Sequence, residues 1–273
     1  MSSTQNGKIR EMTVPAFVKR KRTGPPLVVL TAYDVPTTLA AEAGGVDAML
    51  VGDSLGNVLL GESSTLTVSL DQMIHHARAV GRARRRALLI VDMPWMTYHL
   101  GPEDAVRNAA RVIKETGADA VKLEGGRKRA PVVRALLDAE IPVMGHIGLT
   151  PQSVKALGGY RVQVKDETAA RKLKEDAQIL EDAGCFSVVL EGLPAAVGKE
   201  ISESIQIPTI GIGAGPDCDG QVLVIQDMLG MFGDSTPRFV KRYANLGEKM
   251  KTAFEDYARE VQDGTFPGPE NWY

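Results

Sequence analysis

Eight short apolar runs, separated by helix-patterned or turn-rich stretches, constrain this chain's fold more than any other feature. They are LVVLTAYD (27–34), DAMLVGDS (47–54), ALLIVDMP (87–94), DAVKLEGG (119–126), IPVMGHIGL (141–149), CFSVVLEGL (185–193), IPTIGIGAG (207–215) and QVLVIQDMLG (221–230). Strands alternating with helices argue for βα units around a parallel sheet. The intervening segments carry helix signals. SLDQMIHHARAVGRA opens with a Ser cap and an early Asp. GPEDAVRNAARVIKETG has Pro and two acids in its first turn and Gly past its end, and DETAARKLKEDAQILEDAG repeats apolar residues at helical spacing. Only the link PDCDG between the last two strands is too short for a full helix.

Eight parallel strands in about 250 residues is the arithmetic of a (β/α)8 TIM barrel, with a doubly wound open sheet as the alternative. The first 24 residues, containing VPAFVKRKRTG, read as a capping helix over the barrel bottom, and residues 236–263 as a long amphipathic final helix. No repeat, low-complexity tract or linker interrupts the pattern, so a single barrel domain over residues 1–273 is expected.

At 44% hydrophobic and 24% charged, the chain has enough apolar sequence for a full core. A formal charge of −2 gives no basic field for nucleic acid, which favours small-molecule partners. Cys185 and Cys218 stand alone without metal spacing, as suits a reducing compartment. No apolar run approaches the roughly 18 residues a membrane span needs and no signal peptide is visible, so a cytoplasmic location is expected.

In such a barrel, chemistry sits at the C-terminal ends of the strands. Read off in order, those ends supply Thr31, Tyr33 and Asp34; Asp53 and Ser54; Asp92; Lys122 and Glu124; His146; Glu191; and the glycines of GIGAG (211–215). Four carboxylates crowded at one mouth disfavour each other's ionisation unless positive charge compensates. Lys122 supplies one charge. A divalent cation would supply the rest, and hard oxygen donors without sulfur or clustered histidine select Mg²⁺ over Zn²⁺.

Each residue also has a plainer reading. A lone Asp or Ser at a βα junction is an ordinary helix cap, and Ser54 needs no other role. His146 can equally be a satisfied core histidine. His75 and His76 are adjacent on a helix, face different directions and suit packing or solvent. GIGAG can cradle a phosphate or simply permit close approach. The run RARRR (82–86) reads as a solvated helix end rather than an anion site.

Several blocks closely resemble the ketopantoate hydroxymethyltransferases: TAYD (31–34), VGDSLG (51–56), STLTVSLDQMIHHARAV (64–80), VDMPWMTY (91–98), VKLEGG (121–126), GHIGLTPQSVKALGGYRVQ (145–163), VVLEGLP (188–194) and IPTIGIGAGPDCDGQVLV (207–224). They occur in the family's order over about residues 10–270. CDGQ (218–221), GMFGD (230–234) and Trp95 depart from the usual pattern and bear on cosubstrate contacts more than on the chemistry.

The resemblance implies a Mg²⁺-dependent barrel that moves a hydroxymethyl group from 5,10-methylenetetrahydrofolate to 3-methyl-2-oxobutanoate, giving 2-dehydropantoate for pantothenate synthesis. It implies Asp53 and Asp92 as metal carboxylates, with Glu124 joining directly or through water. Ser54, Lys122 and His146 become contacts of the 2-oxo acid and Glu191 the general base. A homo-oligomer, decameric in the family, is implied as well. The enzymatic alternative is a Mg²⁺-dependent 2-oxo-acid lyase or mutase of the isocitrate lyase and phosphoenolpyruvate mutase type, whose reactive KKCGH-like loop has no counterpart here. A non-catalytic barrel would be expected to lack Asp53, Asp92 or Glu191, and all three are present.

Overall fold

A strand forms in each of the eight expected runs, and the strands pair in chain order and run parallel, closing into a barrel through a β1–β8 seam; the eighth run, expected over 221–230, stops at Leu223 and continues as the short helix Ile225–Met228. They are β1 (Leu27–Thr31), β2 (Ala48–Val51), β3 (Leu88–Asp92), β4 (Ala120–Glu124), β5 (Val143–Gly148), β6 (Ser187–Glu191), β7 (Thr209–Ile212) and β8 (Gly220–Leu223). The coordinates are a computed structural model that describes residues 11–159, 164, 166–232 and 236–273, without the side chains of residues 22 and 157. The first ten residues, YRVQ (160–163) and the end of GMFGD therefore lie outside the described residues. Closure excludes the open-sheet alternative.

The helix signals hold in detail. Ser69 and Gln72 form a reciprocal capping box on Leu70–Ala83, Pro102 opens Pro102–Thr116, and Asp166 caps Glu167–Ala183. Between β7 and β8 the chain crosses without a helix, as the short link requires.

Contacts group the chain into two compact units, residues 1–223 and 224–273. In the first, side chains at every second strand position point inward: Leu27 and Val29, Ala48 and Leu50, Leu88 and Ile90, then Ala120, Met144, Val189, Ile210 and Val222. The expected capping helix is Val14–Thr23, begun by the Thr13 cap. Its Phe17 is fully buried and meets Phe186 edge-on at 5.7 Å, plugging the lower end of the barrel. Burying such a ring contributes about 1.5–3 kcal/mol. Ion pairs of Arg20 with Asp47 (3.0 Å) and Lys21 with Asp219 (2.6 Å) fix the helix there. RARRR contributes to the same end rather than to solvent alone, because Arg84 pairs with Asp119 and Arg86 donates to the Val46 carbonyl.

In the second unit the final helix is shorter than expected, Leu246–Gln262 instead of 236–263. The segment before it has another use for its backbone. Tyr243 N–H bonds the Met228 carbonyl and Leu246 N–H the Leu229 carbonyl, so these donors go to the end of the short helix Ile225–Met228 rather than to an extra helical turn.

Candidate active site

The inward alternation that builds the core also places the polar residues. Two positions above Ile90 stands Asp92; above Ala120 stand Lys122 and then Glu124; above Met144 stands His146; above Val189 stands Glu191. The turn after β2 adds Asp53 and Ser54. Asp53, Asp92, Lys122, Glu124 and His146 are only 2–4% exposed, so five titratable side chains are buried together at one end of the barrel, a grouping typical of functional sites.

Their contacts are continuous. Asp92 Oδ2 accepts the Asp53 backbone N–H at 3.1 Å, and Asp92 Oδ1 faces Lys122 Nζ at 3.0 Å without an aligned hydrogen bond. Lys122 Nζ lies 3.2 Å from His146 Nδ1, which is also 3.4 Å from Glu124 Oε1. On the other side of the ring, His146 Nε2 is 3.2 Å from Glu191 Oε2, at ion-pair distance but off the N–H direction.

Electrostatics sorts these groups. Burial, followed by Asp92 and Glu124, holds the Asp53 pKa well above the ordinary carboxylate range. Burial likewise raises Asp92 despite Lys122 beside it. For Lys122, burial opposes the charge, but Asp92, Glu124 and Asp53 outweigh it and raise the ammonium's pKa. His146 is also opposed by burial and by Lys122, yet Glu124 and Glu191 lift it to about 9. Glu124 is lowered, its burial offset by His146, Lys122 and the Gln152 N–H.

The plainer readings divide. Asp34 is a cap, accepting from Thr37 N–H at 2.8 Å. Ser54 precedes the short helix Leu55–Val58 but makes no capping bond; its hydroxyl meets Tyr33 Oη at 2.7 Å. His76 packs, its Nδ1 2.9 Å from the Tyr33 carbonyl. In GIGAG, Gly215 has φ +89°, and a Cβ there would come within 2.6 Å of Ala195, so close approach accounts for it.

Three residues escaped a reading based on charge. Gln152, in the turn after β5, donates through Nε2 to Asp53 Oδ2 (2.8 Å) and the Met93 carbonyl (3.0 Å), and through its backbone N–H to Glu124 Oε2 (2.9 Å). Its Oε1 accepts from the Tyr98 hydroxyl, which in turn accepts the Glu124 N–H at 3.2 Å. Tyr33 holds Ser54. Being neutral, Gln152 carried no signal beyond its place in the GHIGLTPQSV block.

Among the described residues, no group of three or more His, Cys, Asp or Glu forms a ready metal cage. The donors that fit a hard cation are carboxylates: Asp53, and Asp92 with its buried Oδ1 lacking an aligned hydrogen bond. Two are enough for Mg²⁺, which keeps most of its shell for water and substrate.

Compared with known proteins, residues 11–269 match the family model for ketopantoate hydroxymethyltransferase. The chain belongs to that family. A 3-methyl-2-oxobutanoate hydroxymethyltransferase of Oleidesulfovibrio alaskensis is 58% identical over 90% of this chain and 85% of its own. One from Heliobacterium modesticaldum is 53% identical over 96% and 95%. The ketopantoate hydroxymethyltransferase assignment makes the protein an enzyme that transfers a one-carbon unit. Among solved structures, a 2,3-dimethylmalate lyase of the phosphoenolpyruvate mutase/isocitrate lyase superfamily has a TM-score of 0.61 at 15% identity, covering 97% of this chain and 89% of its own. A putative phosphonomutase from Burkholderia cenocepacia has a TM-score of 0.63 at 16% identity over 78% and 93%. At those identities the likeness is one of fold, and the lyase alternative has no other support. No described helix is long and apolar enough to cross a membrane.

Proposed function

We propose that this hydroxymethyltransferase takes its one-carbon unit from 5,10-methylenetetrahydrofolate, adds it to 3-methyl-2-oxobutanoate and depends on Mg²⁺ at the barrel mouth. The observation that carries the metal is charge. With all four ionised, Asp53, Asp92, Glu124 and Glu191 carry two more charges than Lys122 and a protonated His146 offset among the described residues; burial raises Asp53 and Asp92 while that excess stands, and one divalent cation would cancel it. Asp53 and Asp92 would hold the ion. Both oxygens of Glu124 already face protein partners, so it would reach the ion through water. The ion would supply Lewis-acid polarisation of the keto group.

The chain's own groups then divide the work. Ser54, oriented by Tyr33, and Lys122 bind the substrate carboxylate, with His146 alongside. Glu191, the most solvent-accessible of the acids with its side chain 17% exposed, takes the proton from C3. His146 Nε2 beside it offers positive charge to the carboxylate and fixes its place. The electron pair left at C3 forms the C–C bond to the one-carbon unit, and both C–N bonds that held this carbon in the folate break. One water supplies the product hydroxyl, and its other proton and the proton from C3 end on the two nitrogens of the departing tetrahydrofolate.

The test omits folate. NMR in D₂O should show exchange of the C3 proton of 3-methyl-2-oxobutanoate only when enzyme and Mg²⁺ are both present. No exchange, with folate or without it, would overturn this assignment of the acids.

The same reading makes Gln152 a positioning residue for Asp53 and Glu124. Gln152→Ala should lower Mg²⁺ affinity and turnover by about 10–100-fold, the usual cost of losing an outer partner of a metal ligand. Calorimetric Mg²⁺ titration checks this; unchanged affinity would reduce Gln152 to packing.

A further inference from the structure

At the rim beside this mouth lies a cavity of about 500 Å³, within the size range of small-molecule sites, that the proposed chemistry leaves unused. Buried Glu124 and exposed Lys128 and Lys172 are all part of its wall. The wall is built. Arg127 binds Glu175 at 3.0 Å, and its backbone N–H bonds Asp176 at 2.9 Å, tying the loop after β4 to helix Glu167–Ala183. A Cβ on Gly126 would come within 2.2 Å of Asp176, so the loop seats as closely as glycine allows.

Those two acids are thereby committed to the loop. Arg129 stacks over the Tyr98 ring at 5.3 Å and forms no ion pair among the described residues; nor do Lys128 and Lys172. His99, held down to about 4 by burial and by Arg129, adds no positive charge to the cavity. Three cations free of carboxylate partners therefore line one cavity that starts at a buried residue of the reaction site.

The 2-oxo acid does not explain them. It is small, and its one carboxylate has Lys122 and Ser54 inside the barrel. A reduced folate has the right distribution, because its reacting methylene is at one end and its glutamyl carboxylates at the other. We propose that the rim cavity is the subsite for the glutamyl carboxylates of the folate donor, held by Lys128, Arg129 and Lys172. This inference rests on the folate-dependent reading above. Because Lys128 and Lys172 are exposed and Arg129 is half-buried, their contacts are to be screened by salt and multiplied by further glutamates.

The test compares the full-length enzyme with Lys128→Ala/Lys172→Ala, using mono- and triglutamyl 5,10-methylenetetrahydrofolate. KM for the triglutamate should rise about tenfold, the order expected for losing charge-assisted contacts, and any preference over the monoglutamate should disappear. Folate-free, Mg²⁺-dependent exchange at C3 of 3-methyl-2-oxobutanoate should be unchanged. Unchanged KM for both folates would overturn the subsite. So would a raised half-saturation for the 2-oxo acid in the exchange assay, which would give the cavity to that substrate. Absence of exchange in the wild-type enzyme would instead bring down the reading beneath it, and the subsite with it.

Discussion

Glu191→Gln should leave Mg²⁺-dependent binding of the 2-oxo acid intact while lowering kcat on the order of 10²–10⁴-fold, the contribution of a positioned base. That corresponds to about 3–5 kcal/mol of transition-state stabilisation. Glutamine keeps the shape of the side chain and an acceptor facing His146 Nε2, so the substrate-holding groups stay in place. Proton abstraction is what disappears. C3 exchange in D₂O should fall in parallel with turnover, because both need the same proton transfer, and exchange near the wild-type rate would remove Glu191 as the base. A second readout follows from His146. With a folded pKa of about 9 against about 6.5 unfolded, its charged form stabilises the metal-free fold fully below pH 6.5, and this contribution is lost as pH rises through 9. Removing one of its two acid partners lowers that upper limit. Thermal unfolding of the metal-free variant between pH 7 and 10 should show the loss beginning at lower pH than in wild type.

The site was legible in the sequence to the extent that strand parity and formal charge determine it. Asp92, Lys122, Glu124, His146 and Glu191 each continue an inward row begun by an apolar residue two or four positions earlier, so knowing the strands was nearly enough to bring them together. Asp53 and Ser54 lie one turn beyond a strand, where parity fails and a cap is the ordinary expectation. Only the three-dimensional contact with Tyr33 shows that Ser54 does something else. Gln152 was invisible for a different reason: its effect comes from four bonds to groups distant in sequence, and neither its charge nor its periodicity announces them. The final helix was overextended because apolar spacing before Leu246 mimics a helix, while the backbone donors there bond carbonyls some 15 residues back.

Asp53→Asn separates a metal ligand from a structural ion-pair residue, because the two roles predict opposite signs. In the metal-free chain, burial and the neighbouring Asp92 and Glu124 make the Asp53 charge unfavourable, which is why its pKa is raised. An acid shifted in this direction stabilises the fold when protonated, and that contribution is lost as pH rises through its folded pKa. Metal-free wild type should therefore gain stability from this site as pH falls from 7 toward the ordinary carboxylate range. The amide carries no charge to bury, and its oxygen still accepts from Gln152 Nε2 as Asp53 Oδ2 does at 2.8 Å. The metal-free variant should accordingly melt higher at pH 7, by about 2–4 °C for each kcal/mol relieved in a chain of this size, and its melting should vary less with pH. Adding Mg²⁺ reverses the order. Wild type gains RT ln(1 + [Mg²⁺]/Kd), about 2.7 kcal/mol at a hundredfold excess over Kd. The variant, having lost a direct ligand, should bind the ion more weakly by more than the roughly 10–100-fold that outer partners cost, and so should gain little. Scanning both proteins with and without Mg²⁺ gives four melting temperatures whose order decides the matter. A metal-free variant that melts lower, with an undiminished Mg²⁺ increment, would make Asp53 a structural acid and move the ion elsewhere; the crossed order would place it among the ligands.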